Sequence, residues 1–112
     1  VTGEPEDARV ARSMEWALGN LAGPITVAVL ARQAHMSERT YLRQFQRATG
    51  TTPIRWLIDR RVQASLALLE TTRVPIEEVA TAVGFETAVT YRHHFGRAMR
   101  TSPSAYRRAF PP

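Results

Sequence analysis

Apolar residues recur along this chain at intervals of three and four, the spacing that gathers them on one stripe of a helix, and no segment reads as a convincing strand. Behind Thr26, a good N-cap, Val27, Leu30, Ala31 and Ala34 follow this period. A tight turn at His35 and Met36 leads to Ser37, which caps a second helix with Tyr41, Phe45 and Ala48 inward. That helix ends at Gly50, which takes the left-handed terminal conformation without strain. Two short helices joined by a turn of three or four residues form a helix-turn-helix. Pro53 then opens a long helix to about Glu70, with Ile54, Leu57, Ile58, Val62, Leu66 and Leu69 on one stripe. After it Pro75 starts a short helix lined by Ile76, Val79, Ala80 and Val83, and Gly84 and Phe85 form a turn. A helix from about Thr87 to Met99 follows, with Tyr91, Phe95 and Ala98 inward. Arg100 replaces the expected terminal glycine, which predicts a less sharply defined end. With an opening helix from about Ala8 to Leu21 and a closing one after Ser102 and Pro103, the pattern predicts an all-α chain of about seven helices.

The second helix-turn-helix repeats the first. At an offset of 50 the identical pairs include Val29 and Val79, Thr40 and Thr90, Tyr41 and Tyr91, Phe45 and Phe95, Arg47 and Arg97, Thr51 and Thr101, and Pro53 and Pro103. Trp56 faces Tyr106 and Ala34 faces Gly84 as similar pairs. Matches concentrated at aromatic and proline positions indicate a duplicated unit. The expected division is a linker over 1–7, a first subdomain over 8–52, a connecting helix over 53–70 and a second subdomain over 71–110. The connecting helix, roughly 25 Å long at 1.5 Å per residue, suits two reading helices about one DNA turn, ~34 Å, apart. The chain begins at Val1 and runs into a polar stretch to Asp7, which suggests a piece of a longer polypeptide with an upstream domain.

Charge sharpens this picture. Fifteen basic residues against ten acidic ones, and a pI near 11.0, favour a polyanionic partner. Every basic residue is an arginine, whose planar fork suits phosphate and guanine, although codon usage in a GC-rich genome also produces arginine. The charge is banded: there are six arginines from Arg39 to Arg61 inclusive, and five from Glu86 to Arg108 inclusive. Cysteine is absent, which removes disulfides and zinc-thiolate sites. The longest apolar stretches, such as Val27 to Ala31, fall far short of the roughly 20 residues that span a bilayer, so neither a membrane partner nor a signal peptide is expected.

The first reading helix presents Arg39, Leu42, Arg43, Gln46 and Arg47 opposite its aromatic stripe. Arg39 and Arg43 are the candidates for guanine O6 and N7, and Leu42 for a thymine methyl. Arg47 lies a turn further on and suits phosphate, as do the hydroxyls of Ser37, Thr40, Thr87 and Thr90; for Ser37 and Thr40 capping is the competing role. The second reading helix offers Ala88, Val89, Arg92, His93 and Gly96, a poorer set that predicts weaker specificity. His93 and His94 are adjacent, about 100° apart on a helix, and do not make the i, i+4 pair of a helical zinc site. His35 stands alone in a turn and reads as a packing or backbone-bonding residue. No metal, cofactor or enzymatic constellation emerges.

From Thr26 to Phe110 the chain resembles the DNA-binding domain of the AraC family of transcription regulators. The resemblance is carried by Ser37, Arg39, Tyr41, Arg43 and Phe45 running to Thr49 and Gly50, by Gly84 and Phe85, by Tyr91 to Phe95, and by Ser102, Pro103, Tyr106 and Arg107. Ala34, His35, Met36 and Ser37, with the ending Tyr106, Arg107, Arg108, Ala109 and Phe110, are similar to the branch whose upstream part is amidase-like, related to the glutamine-amidotransferase fold. The family implies seven helices and two reading helices in successive major grooves on one face of the duplex. It also implies that Arg39, Leu42, Arg43, Ala88, Val89, Arg92 and His93 face bases or nearby backbone. Arginine is usual in the family where His93 stands, and glycine where Arg100 stands, which implies an asymmetric division of labour.

The expected function is sequence-specific binding of double-stranded DNA by a bacterial, cytoplasmic transcription regulator. The piece itself is expected to be a monomer, and the whole protein a dimer through its upstream domain. A helical protein-interaction module, for instance one that contacts RNA polymerase, is the alternative. An enzyme is not expected, since no acid-base or metal constellation is present; only an activity lost on mutating His93 and His94 with DNA binding intact would revive that class.

Overall fold

The computed structural model describes residues 5–111, and every regular element among them is helical. The order is α1 (Glu6–Leu18), α2 (Val27–Gln33), α3 (Glu38–Thr49), α4 (Pro53–Thr71), α5 (Ile76–Ala82), α6 (Ala88–Met99) and α7 (Pro103–Arg108). Residues 1–4 of the expected linker lie outside the described residues, but Glu6 and Asp7 do not behave as linker. Pro5 precedes the helix and the two acids occupy its first turn, where they complement the positive end of the helix dipole. At its other end α1 stops at Leu18, three residues before the expected boundary, because Gly19 to Leu21 turn away.

The chain divides into two compact units at Leu57 and Ile58, inside α4, so the expected connector is shared between the units. In the first unit Val10, Ala17, Leu30, Ala31, Tyr41, Phe45 and Leu57 form the core, with Trp16 and Trp56 packed against it. Phe45 meets Trp56 edge-on at 5.9 Å. In the second unit Val62, Leu69, Val79, Ala80, Val83, Phe85, Tyr91 and Phe95 play these parts, and Phe95 meets Tyr106 edge-on at 5.8 Å. Tyr106 in turn donates to Glu70 at 2.5 Å, and Arg107 donates to the carbonyls of Leu69 and Val74, which fastens α7.

The duplication is of three helices rather than two, and it does not keep one offset. Arg9, Val10 and Ser13 of α1 recur 52 residues later as Arg61, Val62 and Ser65 of α4; both valines and both serines are buried. For the short helices the register is 49. Leu30 and Val79 are both fully buried, and His35 and Gly84 both adopt positive φ. An offset of 50 pairs Val29 with Val79 and Ala34 with Gly84. The structure corrects those two pairs, because Glu86 adds one residue to the second turn. Each short helix closes with a Schellman motif: Met36 N–H donates to Ala31 and His35 N–H to Arg32, as Phe85 does to Ala80 and Gly84 to Thr81.

Arg100 takes the left-handed conformation, φ 59°, at the place of Gly50, so α6 ends as sharply as α3 despite the missing glycine. Ala48 and Ala98 are exposed, contrary to the inward stripe expected; Gln44 is buried and His94 half-buried instead. Angular position alone places the alanines inward, but at their height along the axis nothing covers them. Ile54 is likewise exposed on the first turn of α4.

The duplicated tyrosines differ in one hydrogen bond. Ser13 Oγ donates to Val10 O at 2.6 Å, so Tyr41 Oη donates to Ser13 at 2.8 Å, and the buried hydroxyl is satisfied. Burial pushes the Tyr41 phenol above its ordinary value, opposed by Ser13. Ser65 also donates to Val62, but Tyr91 Oη beside it has no partner in hydrogen-bond geometry among the described residues. Burial raises that phenol too, against Ser65 and the nearby Arg107 charge. Tyr41→Phe therefore costs about 1 kcal/mol in urea unfolding, whereas Tyr91→Phe is near neutral. Equal losses in the two variants would contradict this account.

Candidate nucleic-acid interface

The site begins with the two caps that launch the reading helices. Ser37 Oγ accepts from the Thr40 amide at 3.2 Å and donates to Thr40 Oγ1 at 3.1 Å. Thr87 and Thr90 repeat the arrangement, with both distances 3.1 Å. In each pair the capping hydroxyl is committed to the helix, and the hydroxyl of Thr40 or Thr90 keeps its proton for an outside acceptor.

On α3 the burial of Tyr41, Gln44 and Phe45 fixes the rotation of the helix and so decides what faces out. Arg39, Leu42, Arg43, Gln46 and Arg47 are all exposed, at the i, i+3, i+4, i+7 and i+8 positions of one face. Among the described residues the three arginines have no acidic or hydrogen-bonding partner, although Glu38 lies in the same helix. Leu42 is 43% exposed, a large apolar side chain held among them. Arg9 supports the unit from behind, donating from Nη1 to the carbonyl of His35 at 3.3 Å.

The outer face of α6 is built differently. Val89 is 76% exposed and Arg92 and His93 are exposed, while Ala88 is half-buried against the second core. Gly96 leaves open space, since a Cβ there would meet nothing within 4 Å. Arg92 Nη2 pairs with Glu77 Oε2 of α5 at 3.3 Å. His93 lies edge-on to His94 at 5.2 Å, and His94 stacks on Phe85. Among the described residues no group of three or more His, Asp or Glu side chains is placed to hold a metal. No helix among them is long and apolar enough to cross a membrane.

A family model described as a helix-turn-helix domain matches residues 30–109. The DNA-binding domain of AdpA, a global transcriptional factor solved in complex with a target DNA, is 42% identical with a TM-score of 0.87. That match covers 91% of this chain and 92% of the AdpA domain. The chain belongs to the AraC family of helix-turn-helix DNA-binding domains. The HTH-type transcriptional regulator Rv1931c of Mycobacterium tuberculosis is 36% identical over 82% of this AraC-family domain and 36% of its own length. The C-terminal domain of AraT, a response regulator from Geobacillus stearothermophilus, is 27% identical with a TM-score of 0.85, covering 90% of this chain and 84% of that one. The chain spans about a third of the length of the curated relatives it matches, which are named as transcriptional regulators.

Within this AraC-family domain the structure places Arg39, Leu42, Arg43 and Arg47 together on one exposed face, and Val89, Arg92 and His93 on another. Ala88 stands at the edge of the second face, partly turned toward the core. Sequence reasoning missed the Glu77–Arg92 pair. Its two members are 15 residues apart on different helices, and helical spacing shows only pairs within a helix. It also missed the support from Arg9, whose signal was the repeated Arg-Val-x-x-Ser of residues 9–13 and 61–65.

Proposed function

We propose that this domain reads double-stranded DNA with α3 and α6 in successive major grooves of one duplex, and that α3 supplies most of the base discrimination. The observation that carries this reading is the row of exposed, unpartnered arginines on α3. Arg39 and Arg43 suit guanine edges, Leu42 a thymine methyl, and Arg47 a phosphate. Thr40 and Thr90 donate to phosphates, beside the capping Ser37 and Thr87. Val89 and Ala88 supply apolar contacts from the second unit, with Arg92 and His93 as its polar ones.

The likeness to the AdpA domain, itself bound to a target DNA, supports DNA as the partner, while membership of the amidase-like branch rests on the run Ala34 to Ser37 and the ending Tyr106 to Phe110. In this reading the module serves a longer cytoplasmic bacterial regulator that dimerises through its upstream domain and acts on RNA polymerase at promoters, while the module alone is a monomer. Selection from a random duplex pool tests the proposal. It should enrich one motif, and affinity for that motif should fall steeply with salt as several arginines release counterions. Recovery of an unenriched pool would overturn it.

A further inference from the structure

The two units differ in the charge beside their reading helices. The first turn of α5 carries Glu77 and Glu78, where the 49-residue register places Ala28 and Val29 in α2. Glu77 reaches across the turn to Arg92, which shares the outer face of α6 with Val89 and His93. The contact is a single one, Oε2 to Nη2 at 3.3 Å, and a guanidinium has five N–H donors, so most of the fork is still available. The Glu77 carboxyl is held below the ordinary carboxylate range, first by its own backbone amide and then by Arg92, so its charge is present wherever DNA binding is measured.

A carboxylate so close changes what the arginine prefers. An incoming phosphate meets the negative charge of Glu77 as well as the positive charge of Arg92, and like charges at short range repel. Guanine O6 and N7 are neutral acceptors and bear much less of that repulsion. The carboxylate also narrows the orientations of a long, mobile side chain before DNA arrives. Among the described residues no acid performs this service for Arg39, Arg43 or Arg47, which remain free to take phosphate or base.

We propose that Glu77 is a specificity-determining positioning residue: it aims Arg92 at a base edge and discourages phosphate. This rests on the assignment of Arg92 to DNA, and the experiment separates the two. Glu77→Gln, Arg92→Ala and the double variant are titrated by fluorescence anisotropy over a range of NaCl concentrations. The probes are a duplex selected by this chain from a random pool and a scrambled duplex of the same composition. Glu77→Gln should bind the scrambled duplex about 3- to 10-fold more tightly, with a salt slope steeper by about one, while affinity for the selected duplex changes less than about twofold. The ratio of the two affinities therefore falls, and in the Arg92→Ala background the effect of Glu77→Gln disappears. If Arg92→Ala weakens binding but Glu77→Gln shifts neither duplex, or both by one factor, the role of Glu77 is overturned alone. If Arg92→Ala is silent on both duplexes, the assignment of Arg92 to DNA falls with it. Unchanged circular dichroism checks the fold; Glu77 is exposed, so its loss leaves no buried group unpaired.

Discussion

Arg43→Ala lowers affinity for the selected duplex by about 1–3 kcal/mol, roughly 5- to 150-fold, and relaxes preference at one or two base pairs. The size follows from the bidentate grip of a guanidinium on guanine, which no other base edge reproduces. Arg43 is suited to this because its neighbours on the face are Arg39, Leu42, Gln46 and Arg47, with no acid to hold it back. Arg39→Ala should behave in the same way at a neighbouring position. Arg47→Ala should weaken selected and scrambled duplexes alike and reduce the salt slope by about one. Competition titrations against a panel of single-base variants separate these outcomes. Uniform weakening by Arg43→Ala across that panel would make it a phosphate contact instead.

Phe45→Ala should cost about 3–5 kcal/mol, most of what a unit of this size can hold. Phe45 is fully buried and touches both Tyr41 and Trp56, so truncation empties the centre of the first core. Both tryptophans of the chain, Trp16 and Trp56, pack against that core and neither packs against the second. Tryptophan emission therefore reports the first unit. Phe45→Ala should red-shift it at room temperature, whereas Phe95→Ala, an equivalent loss in the second unit, should reduce helicity by circular dichroism with little change in emission. Identical emission changes in both variants would mean that the cores melt as one.

Much of this fold was legible because its caps and aromatic anchors depend on local geometry. Thr26 and Ser37 each accept the N–H three residues on, as their residue types predicted, and Thr87 and Ser102 do the same. Tyr41 with Phe45 and Tyr91 with Phe95 are the buried rungs that the repeat marked out. What escaped was non-local. A single offset conceals insertions in loops, so the match between α1 and α4 was missed and two pairs in the short helices were shifted. Periodicity carries angle but not height, which is why Ala48, Ala98 and Ile54 were expected inside. Arg100 shows that a terminal glycine is a preference and not a requirement, since the left-handed conformation costs about 1–2 kcal/mol in a residue other than glycine. Of the reading faces, the first was visible as a row of arginines, whereas the restraint on Arg92 needed the approach of α5 to α6.

The central claim is that two reading helices engage one duplex from the same side. Hydroxyl-radical footprinting of the domain on its selected duplex addresses it directly. The account predicts two protected patches centred about one helical turn, ~10 base pairs, apart on one face. It also predicts that Arg92→Ala weakens only one of them. A single patch no wider than one groove, or two patches on opposite faces, would contradict it.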